Sequence, residues 1–151
     1  MSDLNNLLRD LSIVPNDVSL YELALTHPSC NSDNNTKHHD YETLEFVGDS
    51  VLGLVSANLI YETHKEMDQG YMSKLRSHLV CSKSLAAYSR KYGIVDYIKT
   101  GHSITKDQLY HSDKILEDVF EAFMGAIYLD KGFDIAFRVI KNILFEDVKN
   151  T

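Results

Sequence analysis

Two stretches of the chain set carboxylates where chemistry can use them. "YETLEFVGDSVLG", residues 41–53, holds Glu42, Glu45 and Asp49, and "KILEDVFEAFMGAIYLD", residues 114–130, holds Asp118 and Glu121. On a wheel of about 100° per residue with Glu42 at zero, Glu45 falls near 300° and Asp49 near 340°, while Leu44, Val47, Val51, Leu52, Val55 and Leu59 fill about 140° to 280°. With Asp118 at zero, Lys114, Glu121 and Gly125 lie between about 300° and 340°, and apolar residues fill about 60° to 240°. Each stretch is thus an apolar helix crossed by one thin polar strip. Four oxygen donors on two helices, Glu45, Asp49, Asp118 and Glu121, suit a hard divalent cation, magnesium or manganese. The plain alternative is that each strip is the solvated face of an amphipathic helix. Against it, both strips are narrow and both combine Glu with Asp. One lysine, Lys114, cannot neutralise both. Each stretch also carries a glycine, Gly48 or Gly125, which costs a helix about 1 kcal/mol relative to alanine and admits a close backbone or ligand.

Phe46 falls near 40° on the first wheel, beside the acidic edge and off the apolar stripe. An isolated domain would leave it exposed. Scattered exposed aromatics are common; the functional reading is an anchor in a subunit interface.

The elements that must position these residues read as helices almost throughout. Helical spacing runs through "LNNLLRDL", "LYELALTH", a long helix from about Tyr41 to Thr63, "YMSKLRSHLV", "SKSLAAYSRKYG", "DKILEDVFEAFMGAIYLD" and "DIAFRVIKNILFEDV". Ser82 is the expected N-cap of the fifth of these, with Gly93 as its stop; Lys131 and Gly132 end the sixth. The Asn-, Asp- and Ser-rich segment 28–40 reads as a surface loop. Strand-like alternation is absent, so the expected fold class is all-α. At 151 residues with two prolines and 44% hydrophobic residues, the chain is expected to form a single domain over 1–151.

No apolar run approaches the ~20 residues of a membrane helix, and the first residues lack a signal-peptide pattern. Cys30 and Cys81 lie far apart without a CxxC spacing, so reduced thiols are expected. A cytoplasmic location without membrane association follows as the expectation. The net charge of −7 argues against a polyanionic partner, but it is unevenly spread. Lys plus Arg against Asp plus Glu number 2 against 10 over residues 1–64, 9 against 5 over 65–114, and 4 against 7 over 115–151. The basic middle segment offers phosphate contacts or merely solvated helix faces.

These motifs resemble the ribonuclease III family. The two acidic stretches match its signatures, joined by "ALTHPS" at 24–29 and "GYMSKLRSHLV" at 70–80. The resemblance implies an all-helical, dimeric endonuclease domain that hydrolyses double-stranded RNA with magnesium, manganese being the alternative ion. It implies Glu45, Asp49, Asp118 and Glu121 as catalytic metal-binding acids, Glu42 as an auxiliary metal-site acid, and Phe46 as the aromatic that enters the partner subunit of a homodimer. Lys74, Arg76 and Lys83 are the expected contacts to RNA phosphates.

Three departures stand out. Gln69 replaces an acid that the family usually has before the glycine of "GYMSKLR". Tyr41 and Thr43 differ from the commonest neighbours of the first Glu. The double-stranded-RNA-binding domain common at the family's C-terminus is not expected within these residues. A non-catalytic dimeric RNA-binding or scaffolding relative is the rival reading. A second rival takes "HHD" at 38–40, with His27, as the metal site of a histidine and aspartate phosphohydrolase.

Overall fold

The apolar stripe of residues 42–63 forms the central helix of the protein, whose computed structural model describes residues 2–150. The outermost residues of the expected 1–151 domain, Met1 and Thr151, lie outside the described residues. In chain order the helices are α1 (Ser2–Asp10), α2 (Val18–Ala24), α3 (Cys30–Asp33), α4 (Glu42–Thr63), α5 (Gln69–Leu79), α6 (Ser82–Lys91), α7 (Lys106–Tyr110), α8 (Asp113–Lys131) and α9 (Phe133–Lys149), with a 3-10 turn at Ile94–Tyr97. The all-α class holds: the one β-type pairing among the described residues is an isolated bridge between Thr26 and Lys99.

The two helices that bear the acidic strips form the middle of the core. α8 buries Leu116, Val119, Phe120, Phe123, Met124 and Ile127, and α4 buries Leu44, Val51, Leu52, Val55, Leu59 and Ile60. They pack against each other; α5 and α9 cover α4, while α2, α6 and α9 cover α8. By length and composition alone α4 is apolar enough to cross a membrane. Here its buried side packs against α8, α9 and α5, while Phe46, Leu54 and Tyr61 are left exposed. Tyr21 of α2 ties the far end of α8 down, its hydroxyl donating to the half-buried Asp130 at 2.7 Å.

Several helix starts are set by side chains. Asp68 accepts from the Tyr71 N–H to open α5, Ser112 from Ile115 to open α8, and Thr105 with Gln108 forms a reciprocal capping box on α7. Gly93 and Gly132 take positive φ, 75° and 89°, where the chain leaves α6 and α8.

Three expectations need correction. The N-cap of α6 is Cys81, not Ser82: Cys81 is extended, and the Ser84 hydroxyl reaches back to the His78 carbonyl at 2.8 Å, which starts the turn one residue early. Segment 28–40 is not loop throughout, because Cys30 is buried and seeds the single turn of α3. The 3-10 turn and α7 were not anticipated.

Candidate metal centre

The acids meet where α4 and α8 cross, and glycine makes that crossing close. A Cβ built on Gly48 would stand 1.6 Å from the Glu121 carbonyl oxygen, and one on Gly125 would stand 2.3 Å from the Leu44 carbonyl oxygen. The two glycines therefore admit backbone rather than ligand, and they hold the two acidic strips edge to edge.

Glu45 from α4 and Asp118 and Glu121 from α8 each bring a carboxylate oxygen within 4.8 Å of the others'. Asp118 is buried, whereas Glu45 and Glu121 are half-buried. Asp49 is exposed and lies outside this group, though its charge reaches Glu121. Glu42 is exposed and lies outside this group.

The electrostatics report an excess of negative charge. Burial, then a hydrogen bond and repulsion from Asp118, push the Glu45 carboxyl up to about 7. Burial, then repulsion from Asp49, Glu117 and Glu45, push Glu121 up to about 8. A carboxyl that retains its proton near neutrality lacks a counter-charge. Hard oxygen donors in excess negative field fit magnesium or manganese by donor type, number and charge.

The sign for stability follows. These two acids bind protons more tightly in the folded chain than the ordinary value of 4.5, so the folded state holds more protons than the unfolded one between that value and about 8. Their contribution falls as pH rises through that window, the reverse of an acid with a cationic partner. Above the ordinary histidine value of 6.5, where the lowered value of His27 no longer opposes them, these acids are expected to make the metal-free protein melt lower as pH rises to about 8, and saturating divalent cation should flatten the trend. Scanning calorimetry across pH with chelator or cation tests this; a rising trend without metal would contradict it.

The segment before α4 works as a bracket. Asp40, 3% exposed, accepts from the Glu42 N–H at 2.9 Å and from Asn31 Nδ2 at 2.8 Å. It thus caps α4 from one residue further out than a usual N-cap. Tyr41 donates its N–H to the Thr26 carbonyl and meets the His27 ring edge-on. His27 Nδ1 accepts from the Ser29 N–H, which leaves its proton on Nε2, and Ser29 Oγ accepts from the Gly101 N–H. Burial pushes the His27 imidazolium below its usual range, against the pull of Asp118 and Asp40. "ALTHPS" therefore clamps the entry of α4 to the 99–101 strand-like segment. His38 and His39 are exposed, and the only metal-suited group among the described residues contains no histidine, so the phosphohydrolase reading has no site.

Two neighbours escaped the sequence reading. Glu117 is half-buried and its charge reaches both Glu45 and Glu121. In sequence Asp40 reads as a loop residue or as part of the rival "HHD" site, not as the acid that fixes the start of α4. The signal for it, an acid just before an apolar period, was present.

Phe46 is 78% exposed, and Leu54 and Tyr61 are exposed on the same face of α4. Beside them runs a groove of about 360 Å³ lined by Ala57, Ile60, Tyr61, Gln69, Met72 and Arg76. Gln69 and Arg76 therefore belong to this groove. Lys74 lies about 160° round α5 from Arg76, so the two reach different surfaces. Lys74 and Lys83 are exposed, and neither is in an ion pair of the described residues.

A family model described as ribonuclease-III-like matches residues 17–148, and the chain belongs to that family. It is 37% identical to ribonuclease 3 of Onion yellows phytoplasma over 151 residues, all of this chain and 63% of that protein. The chain thus spans under two thirds of the length of such relatives. The nuclease domain of ribonuclease III from Campylobacter jejuni superposes with a TM-score of 0.87 at 31% identity, covering 97% of each chain. A second structure of that domain, with a TM-score of 0.86 and 31% identity over 95% of this chain and 96% of that one, is described for flexibility in its region involved in dimer formation.

Proposed function

We propose that this chain is a single catalytic domain that hydrolyses phosphodiester bonds of double-stranded RNA with magnesium, acting as a homodimer in the cytoplasm. The observation that carries the reading is the set of three carboxylates, from two core helices, within 4.8 Å of one another. Glu45, Asp118 and Glu121 would hold the cation, with Asp49 as the further acid whose charge reaches Glu121. A bound divalent ion supplies a water acidified toward neutrality and charge against the developing phosphate oxyanion. The chain's own part is to keep the donors rigid. Asp118 is fixed in a core helix, and Asp40 and Gly48 fix the start and the depth of α4 against it. Lys74 and Lys83 would bind phosphates, with Arg76 reaching them only from the groove edge, and those contacts should weaken with salt.

Two copies related by a two-fold axis would face two such centres onto the two strands of an A-form duplex, recognised by shape and 2′-hydroxyls. A scaffold would gain nothing from clustered carboxylates short of counter-charge, which outweighs the one departure, Gln69, that favours the non-catalytic reading. Incubation with a long RNA duplex should give short duplex products with magnesium and none with chelator. An intact duplex under both conditions sinks the proposal.

Phe46 supplies the test of assembly. Its ring is a protruding knob, and the groove beside Tyr61 on a second copy is of a size to receive it. Burying the ring contributes on the order of 1.5–3 kcal/mol, twice per dimer. Phe46→Ala is expected to shift the protein toward monomer in sedimentation at several concentrations, with unchanged helicity and weakened duplex cleavage. A variant that unfolds instead, or a wild type that is monomeric throughout, would place Phe46 outside any interface.

A further inference from the structure

The acidic strip of α8 carries one cation of its own. Lys114 stands a helical turn before Asp118, and its Nζ donates to Asp118 Oδ1 at 3.0 Å. The two ends of this pair differ in freedom: the Asp118 side chain is 10% exposed and that of Lys114 is 74% exposed. Asp118 sits on a helix whose next residues, Val119 and Phe120, are wholly buried, so the carboxylate is held by the core. The lysine stem lies mostly in water, so only its contact with Asp118 opposes other rotamers. Among the described residues it is the one Lys or Arg ion-paired with a member of the carboxylate group. Its charge also reaches Glu45, where it opposes the neighbouring acids. The pair joins an exposed ammonium to a buried carboxylate, so losing the lysine leaves Asp118 without its counter-charge, and the consequence falls on the site.

We propose that Lys114 is a displaceable counter-cation of the carboxylate cluster, one that balances the acids when no divalent ion is bound and swings into solvent when one arrives, thereby setting how tightly the cluster takes that ion. The proposal rests on reading the cluster as a divalent-cation site. A dication beside Asp118 meets an ammonium a few ångströms away, and like charges at that distance repel. The ammonium escapes into water, where its hydration is restored, but every binding event must first break its contact with Asp118. A lysine that instead served to orient Asp118 would have the opposite effect, since its loss would disorder a ligand and loosen the ion.

Manganese binding to the whole chain without RNA, followed by electron paramagnetic resonance of the free ion, separates these. Lys114→Met is expected to bind manganese about three- to tenfold more tightly than wild type, with the gain shrinking as salt is raised. Lys114→Arg, which keeps the charge, should remain within about twofold. Without metal, Lys114→Met should melt below wild type, and the gap should close or reverse at saturating manganese. Lys114→Gln carries the same expectation and stands in should the methionine variant aggregate. Unchanged or weaker manganese affinity in the charge-removing variants overturns the proposal while leaving the cation site intact. A wild type that binds no manganese overturns both.

Discussion

Glu121→Gln is expected to lower magnesium-dependent cleavage of duplex RNA by about 10²-fold or more while raising the melting temperature of the metal-free protein. Loss of one preorganised electrostatic contact acts on that scale of rate, and here the lost group is also a hard anionic donor at nearly constant shape. The stability gain has a separate cause. The Glu121 carboxyl is driven up to about 8 by burial and by Asp49, Glu117 and Glu45, so above that pH wild type holds an uncompensated charge that glutamine lacks. At about pH 5 both side chains are neutral and the two proteins should melt together. The difference should open as pH rises and should vanish when wild type is saturated with cation, because then the charge is compensated. Activity assays with magnesium and calorimetry with chelator read the two halves independently. A variant that cleaves at the wild-type rate removes Glu121 from the site, and one that melts lower at high pH removes the account of its charge.

That opposition of activity and stability was legible in part from the sequence. The apolar periods of α4 and α8 are long and dense, so their polar edges could be placed by angle alone, and Asp118 announced itself as a carboxylate among buried neighbours. Angle is half of a position, however. Glu42 shares the edge of Glu45 and Asp49, but at a rise of 1.5 Å per residue it lies about 4.5 Å below Glu45 along the axis. α8 crosses higher up, at Gly48, and leaves Glu42 in solvent. The wheel also could not show that Gly48 and Gly125 face each other's helices rather than a ligand, since that depends on which helix is the neighbour. α7 and the 3-10 turn span barely one turn each, too short for a 3.6-residue period to register. The bracket around Ser29 was beyond reach for another reason: its hydroxyl meets the N–H of Gly101 at 2.7 Å, a pairing between segments far apart in sequence and set by tertiary packing.

The crossing itself yields the largest expected change in stability. Gly48→Ala would look favourable to a helix considered alone, because alanine is preferred to glycine in a helix interior by about 1 kcal/mol. In the folded protein the new Cβ would stand 1.6 Å from the Glu121 carbonyl oxygen and 2.5 Å from its carbonyl carbon. Those are backbone atoms of a core helix and have no rotamer through which to yield. The helices must separate, and overpacking of that kind costs about 3 kcal/mol or more, which outweighs the propensity gain and lowers Tm by roughly 6–12 °C for a chain of this size. Function should suffer beyond the loss of fold. Glu45 and Asp49 lie on one side of the crossing and Asp118 and Glu121 on the other, so separating the backbones widens the carboxylate group. Variant protein that remains folded at low temperature should therefore bind manganese more weakly than wild type. Gly70→Ala provides the comparison, since a Cβ there meets only the Asp68 carboxylate oxygen at 3.5 Å, an ordinary contact, and its Tm should stay near wild type. Equal melting of wild type and Gly48→Ala would mean that α4 and α8 do not touch at this glycine, and the geometry that brings the acids together would have to be abandoned.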